Sequence, residues 1–329
     1  MADQIRAFPG LDYFKDNAID RALFFGRDNE IKQLAARLIA EDLTVLFGKS
    51  GDGKTSLINA GLKPVLREAD YLPVRARVFN VVAPITPLTA LYEAIAEEAN
   101  INEMTLPPNW QRETLWESFL ALRPTPENGL KPIVLILDQF EELFTLMADR
   151  PPEQKDFVAQ LADLVRGRLP ETVREKYRAQ LATLMPASDE ARRLEQLLYG
   201  APPPALRILL SLREDYLAFL NNLGRRIPKV LASRYRLASL TIEQARAAIA
   251  NPPQQEVLQD QKFQIAEDAI AALLKFLTVQ SSRSGMTEEI VGPPQLQVLC
   301  QQLEMQMRRR HKSIISAADL GGEAGMRQL

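Results

Sequence analysis

The segment Gly48-Lys49-Ser50-Gly51-Asp52-Gly53-Lys54-Thr55 constrains this chain more than any other stretch. It fits the pattern G-x-x-x-x-G-K-[ST], and it lies between a short apolar run, Leu43 to Phe47, and a stretch reaching Leu62 that suits a helix. Glycines let a backbone close around phosphate oxygens, so that N–H groups and a helix N-terminus face the anion. Lys54 adds a positive charge for the β and γ phosphates, and Thr55 offers a hydroxyl to Mg²⁺. Residues 48 to 55, with Ser56 behind them, are therefore the expected nucleotide-binding loop, with ATP or ADP and Mg²⁺ as the expected ligands.

The surrounding pattern says which fold carries the loop. Ile31, Leu34, Ala35, Leu38 and Ile39 recur at helical spacing ahead of it, and Val74 to Val82 alternates as a strand does. A helix is predicted over Leu88 to Ala99. Ile133 to Leu137 is an unbroken apolar run of the kind buried on both faces of a parallel sheet, and Leu206 to Leu212 is a third strand. Strands alternating with helices predict a doubly wound, mainly parallel α/β sheet of the ASCE/AAA-like P-loop type, with its ligand beyond the carboxyl ends of the strands. Past Leu240 the strand signals stop, and Ile265, Ala269, Ile270, Leu273, Leu274 and Leu277 begin a smaller region read as all-helical. The predicted organisation is an N-terminal segment at 1–20 and a nucleotide-binding domain at 21–240 with a helical insertion at 166–204. A helical domain follows at 241–312, then the truncated start of a winged-helix-like unit at 313–329.

Four further residues belong to the expected site. Asp138 ends the run Ile133 to Leu137, where a carboxylate holds Mg²⁺ through its water shell. Glu141 and Glu142 follow on the next helical turn, and either could orient an attacking water, Glu142 being preferred. Arg213, after the third strand, would reach a γ-phosphate and report its presence. Alternative origins for these residues are an acidic helix start that suits the macrodipole and a solvated arginine at a strand end.

With these residues in hand, the chain resembles the nucleotide-binding core of the STAND class of P-loop ATPases, in particular the bacterial-type novel STAND branch. The resemblance rests on Phe8-Pro9-Gly10-Leu11, on Phe24-Phe25-Gly26-Arg27-Asp28-Asn29-Glu30, and on the phosphate loop with Asn59-Ala60-Gly61-Leu62 downstream. Leu137-Asp138-Gln139-Phe140-Glu141-Glu142-Leu143-Phe144 and Leu212-Arg213-Glu214-Asp215-Tyr216 complete it. It implies that Gly26 and Arg27 pack near an adenine and that Gly292-Pro293-Pro294 matches a G-x-P element, whose Pro294 would cover the base. It also implies a slow, regulatory ATPase switch. Such a switch is closed with ADP and opens with ATP into a homo-oligomer that activates an effector, in prokaryotic defence or signalling. The resemblance further implies a C-terminal sensor or effector part and a trigger, neither of which is visible in these 329 residues. The competing reading is a AAA-type remodelling ATPase turning over in a ring, with Arg225, Arg226 or Arg234 supplied to a neighbour's site.

Composition removes other classes. Forty basic and forty-two acidic side chains leave a net charge of −2, so no global field draws the chain to nucleic acid or an anionic membrane. The cluster Arg308-Arg309-Arg310-His311-Lys312 reads first as a basic helix end, which makes nucleic acid the weakest option. One cysteine, Cys300, excludes an internal disulfide, and one histidine, His311, excludes a Cys/His zinc cluster. With no signal peptide at 1–10 and no apolar run of about 18 residues, the expected location is the cytoplasm. No Asn-Lys-x-Asp segment is present to read guanine.

Overall fold

Five consecutive residues, Ile133–Leu137, are buried from end to end, and this strand sits inside a parallel sheet because every side chain on both faces is apolar. The computed structural model describes residues 5–80, 85–126, 128–186, 188–200, 204–227, 229–283 and 286–328. They form two units, one made of Arg37–Leu46 and Leu66–Tyr235, the other of Met1–Ala36, Phe47–Val65 and Arg236–Leu329.

The first is the sheet unit. Its strands are β1 (Leu43–Gly48, whose last two residues pass into the other unit), β2 (Leu72–Ala76), β3 (Ile133–Leu137), β4 (Leu206–Arg213) and β5 (Arg234–Arg236). They lie in the order β2-β3-β4-β1-β5. Leu72 to Ala76 pair in register with Ile133 to Leu137, which pair in turn with Leu206 to Leu210, all parallel. This aligns the carboxyl ends of β2 and β3, and Asp138 emerges there. The Val45 N–H donates to the Ser233 carbonyl at 2.9 Å and so joins β1 to the approach to β5.

The strand predicted over Val74 to Val82 is shorter than its alternation suggests. It ends at Ala76, whose carbonyl accepts the Asp138 N–H at 3.0 Å, and the chain then leaves the sheet. Phe79 packs edge-on to Phe140 and Phe157, with centroids 5.4 and 5.2 Å away, and this aromatic burial replaces further strand pairing. Val82 lies outside the described residues. Residues 166–204 carry the helices Glu171–Thr183 and Asp189–Tyr199, with Val173, Tyr177 and Leu194 as their own small core. Lys176 donates to Glu113 and Glu117 at 2.9 and 3.1 Å, and Tyr177 donates to Glu117 at 3.1 Å. Burial pushes the Tyr177 phenol up to about 12.

The second is the loop unit. Its core gathers α1 (Ile242–Ala250), α2 (Glu267–Leu277) and α3 (Pro293–Arg309), with Ala245, Ile249, Leu273, Leu277, Leu296 and Leu303 buried together. A capping box fixes the start of α1, since Thr241 Oγ1 accepts the Gln244 N–H and Gln244 returns its carbonyl oxygen to the Thr241 N–H.

Two sequence expectations change here. The region past Leu240 is not all-helical: β7 (Thr278–Arg283) and β8 (Met286–Val291) form an antiparallel hairpin, and the pair β6 (Gln264–Ile265) with β9 (Ile314–Ile315) is parallel. The hairpin sequence is polar, so it shows no apolar alternation, and only cross-strand pairing from Thr278↔Val291 to Arg283↔Met286 defines it. The stretch 313–329, read as the start of a further unit, adds β9 to this unit and buries Ile315, Leu320 and Met326 in the same core.

Residues 5–16 run over the loop unit as a strap held by polar anchors. Glu304, 1% exposed, accepts the Ala7 N–H at 3.1 Å and the Phe8 N–H at 3.3 Å, and Arg308 donates to the same carboxylate at 2.6 Å. At the far end the Phe14 N–H donates to Ser56 Oγ at 3.2 Å, Asn59 donates to the Phe14 carbonyl at 3.1 Å, and Lys63 pairs with Asp16 at 2.9 Å. Stranding a buried donor costs about 1–3 kcal/mol. Glu304→Ala is therefore expected to lower unfolding free energy by about 2–4 kcal/mol. It should also speed amide exchange across 5–16. An unchanged denaturation midpoint and unchanged exchange would rule the anchor out.

Candidate nucleotide site

The loop from Gly48 to Thr55 begins where β1 ends, and its left-handed residues are glycines. Gly51 has φ +87° and Gly53 φ +88°, a region that side-chain-bearing residues rarely adopt. A Cβ on Gly53 would meet nothing within 4 Å, whereas one on Gly51 would stand 2.7 Å from Pro294 Cγ. The loop thus keeps open space on one side and packs against the first turn of α3 on the other. Lys54 Nζ donates to the carbonyls of Gly48 and Lys49 at 3.1 and 3.0 Å, so its charge is folded over the start of the loop. The Lys54–Ser56 helix continues through a π-helical stretch, Leu57–Leu62, all of it buried.

Residues ahead of the loop brace it. Arg27, 4% exposed, donates to the Asp52 carbonyl at 3.1 Å, to the Ala238 carbonyl at 2.9 Å and to Glu30 at 3.0 Å. Gly26 lies against α1, where an added Cβ would come within 2.5 Å of the Gln244 carbonyl oxygen. Asp52 is buried as well: its Oδ2 accepts the Lys49 N–H at 2.8 Å and its Oδ1 accepts the Ser239 hydroxyl at 2.9 Å. Gly26, Arg27, Pro294 and the loop residues thus stand within one unit, and Arg27 serves the loop backbone directly.

The acidic residues belong to the sheet unit. Asp138, 2% exposed, accepts from Ser211 Oγ at 2.8 Å and from Arg75 Nε at 3.0 Å. Gln139 follows in a left-handed conformation, φ +56°, which turns the chain so that the Phe140 N–H reaches the Ser211 carbonyl at 2.8 Å. Glu142 opens the short helix Glu142–Thr145, and Arg77 Nε forks onto both of its oxygens at 2.8 and 3.0 Å. That bond raises the Arg77 guanidinium further above its ordinary range. Glu141 instead accepts the Arg213 N–H at 3.3 Å. The Arg213 side chain pairs with Asp215 at 2.6 Å and lies 5.7 Å over the Tyr216 ring, and the Asp215 bond holds its guanidinium above the usual range.

Four partners of the candidate site residues carry no role in the sequence analysis above: Arg75, Arg77, Ser211 and Ser239. Arg75 and Arg77 share one strand parity at the end of β2, and that alternation of charge beside Val74 and Ala76 was the available signal. Ser211 and Ser239 left no signal, because a hydroxyl in a strand or a connector reads as neutral. Of the arginines considered for a neighbour's site, Arg226 donates to the Lys155 carbonyl at 3.3 Å, and Arg225 and Arg234 are exposed. In the basic cluster, Arg308 serves Glu304 and Lys312 pairs with Asp319. Among the described residues no helix is long and apolar enough to cross a membrane.

Comparison with known proteins gives these features a context. The sequence profile of the family Novel STAND NTPase 1 matches residues 7–275. The fold is similar to that of the Walker-type ATPase paby2304 of Pyrococcus abyssi, with 16% identity over 91% of this chain and 71% of that one and a TM-score of 0.54. It is also similar to the ORC2 protein of Aeropyrum pernix, solved as ADPNP-ADP complexes, with 14% identity over 99% and 72% of the two chains and a TM-score of 0.57. No curated protein matches.

Proposed function

Because this chain belongs to the Novel STAND NTPase 1 family, and so to the P-loop NTPases, we propose that it binds ATP with Mg²⁺ and hydrolyses the β–γ bond slowly, as a switch. The observation that carries the reading is the phosphate loop itself, with open space at Gly53 and Lys54 poised on loop carbonyls it can exchange for phosphate oxygens. Backbone N–H groups of residues 50 to 55 would cradle the phosphates. Thr55 would offer a hydroxyl oxygen to Mg²⁺, and Asp138 a carboxylate oxygen. Mg²⁺, when bound, neutralises charge developing on the phosphate oxygens.

Glu142 is the residue we assign to orient the water. Arg77 holds its two oxygens in a fork, and the remaining lone pairs of the carboxylate can accept from a water molecule. Arg213, paired with Asp215, would turn toward a γ-phosphate, whose charge competes for the guanidinium. Gly26, Arg27 and Pro294 would shape the adenine pocket. In this reading ADP holds a closed monomer, and ATP opens it into a homo-oligomer that activates an effector supplied by a longer protein, in prokaryotic defence or signalling.

The test is to extract and identify the nucleotide from purified protein, then follow mass by light scattering after ATP and Mg²⁺ are added. Bound ADP in a monomer that grows only with ATP is the expected result. A nucleotide-free ring with steady turnover would transfer the assignment to a remodelling motor.

A further inference from the structure

A carboxylate is an adverse residue to place in a loop that binds a polyanion, yet Asp52 stands there with its side chain buried. Neither of its oxygens is idle. One takes the Lys49 N–H from within the loop, and the other takes the hydroxyl of Ser239, 187 residues along the chain. One residue away a second link runs parallel to the first, because Arg27 bridges the carbonyls of Asp52 and Ala238 at 3.1 and 2.9 Å. The phosphate loop is therefore fastened twice to 238–239.

That short segment has no freedom to move alone. Before it, the Leu237 N–H donates to the Phe47 carbonyl at 2.8 Å, so it is tied to the end of β1. After it, Leu240 exchanges both backbone hydrogen bonds with Val291, at 3.0 and 2.9 Å, and Thr241 caps α1. Val291 leads within three residues to Pro294, which packs on Gly51. The connections close a ring: Asp52 to Ser239, Leu240 to Val291, and Pro294 back to Gly51. A displacement of the loop backbone at 51–52 is passed through this ring to the starts of both α1 and α3.

We propose that Asp52 and Ser239 are a positioning pair, in which Asp52 acts through Ser239 and the Lys49 N–H to set the phosphate-loop geometry and transmit nucleotide occupancy to the segment entering α1. The Asp52 carboxylate does not touch phosphate in this scheme. The inference rests on the reading of 48–55 as the nucleotide loop.

The experiment compares the full chain with Ser239→Ala, Ser239→Thr and Asp52→Asn. It measures Kd for ATP and ADP by calorimetry and amide exchange over 236–250 with and without nucleotide. Ser239→Ala strands a carboxylate oxygen, and we expect about tenfold weaker ATP binding and loss of the ATP-dependent change in exchange at 236–250. Asp52→Asn keeps the shape but offers one acceptor in place of two, and should show the same pattern. Ser239→Thr keeps the hydroxyl and should restore both readouts, which a purely structural role for the site would not require. ATP affinity within twofold of the parent and an unchanged exchange response in Ser239→Ala would overturn the pair as a positioning device. Failure of the parent chain to bind either nucleotide would instead overturn the reading of the loop, and the inference with it.

Discussion

Replacing Lys54 by Ala should weaken ATP binding by about 10²–10³-fold and take hydrolysis to background, with little change in thermal midpoint. Its ammonium makes charge-assisted bonds, each contributing about 1.5–3 kcal/mol when the acceptor is ionised. Two such bonds to phosphate oxygens, each near the lower end of that range, are about 3–4 kcal/mol, which is the stated factor. In the protein alone Lys54 donates to the neutral carbonyls of Gly48 and Lys49 from a partly exposed position, and neutral-acceptor bonds of this kind contribute only about 0.5–1.5 kcal/mol each to a fold. Calorimetric titration with ATP–Mg²⁺, beside a melting curve, separates the two effects. ATP binding and ATP-dependent assembly that survive intact in Lys54→Ala would end the assignment of the loop.

Asp138→Asn should be the second largest loss, a fall in kcat of roughly a hundredfold or more with a rise in the Mg²⁺ concentration required. The amide keeps the shape but removes the negative charge that the cation needs. This substitution also perturbs the fold, because Asp138 is 2% exposed and pairs with Arg75 at 2.9 Å. Breaking a buried ion pair from one side costs up to about 3–5 kcal/mol, and the partly exposed Arg75 brings the expectation down to about 1–3 kcal/mol. A second variant divides the contributions: Arg75→Met beside Asp138→Asn should recover part of the stability and none of the hydrolysis. Recovery of hydrolysis in the double variant would assign Asp138 to the fold alone.

These predictions rest on residues of different legibility. The loop, Asp138 and the pair Glu141 and Glu142 could be proposed from the sequence directly, because phosphate and metal chemistry demands particular residue types at fixed local spacing. The sheet was legible for a related reason: a strand buried on both faces must be apolar throughout, and Ile133–Leu137 is. The hairpin Thr278–Arg283 with Met286–Val291 was not, since its largely polar sequence carries no apolar alternation and cross-strand pairing defines it. The role of 313–329 was equally hidden, because Ile314 and Ile315 become a strand only beside Gln264 and Ile265.

The sequence by itself thus determined the P-loop class, the parallel α/β sheet and the residue types offered to a phosphate and a cation, all of which follow from local pattern. Tertiary structure alone decided that Arg75 and Ser211 hold Asp138, that Arg77 holds Glu142, and that Asp52 answers to Ser239 across 187 positions. Local spacing carries no information about such pairs, because a hydrogen bond depends on where the fold brings two atoms together and not on how far apart they lie along the chain.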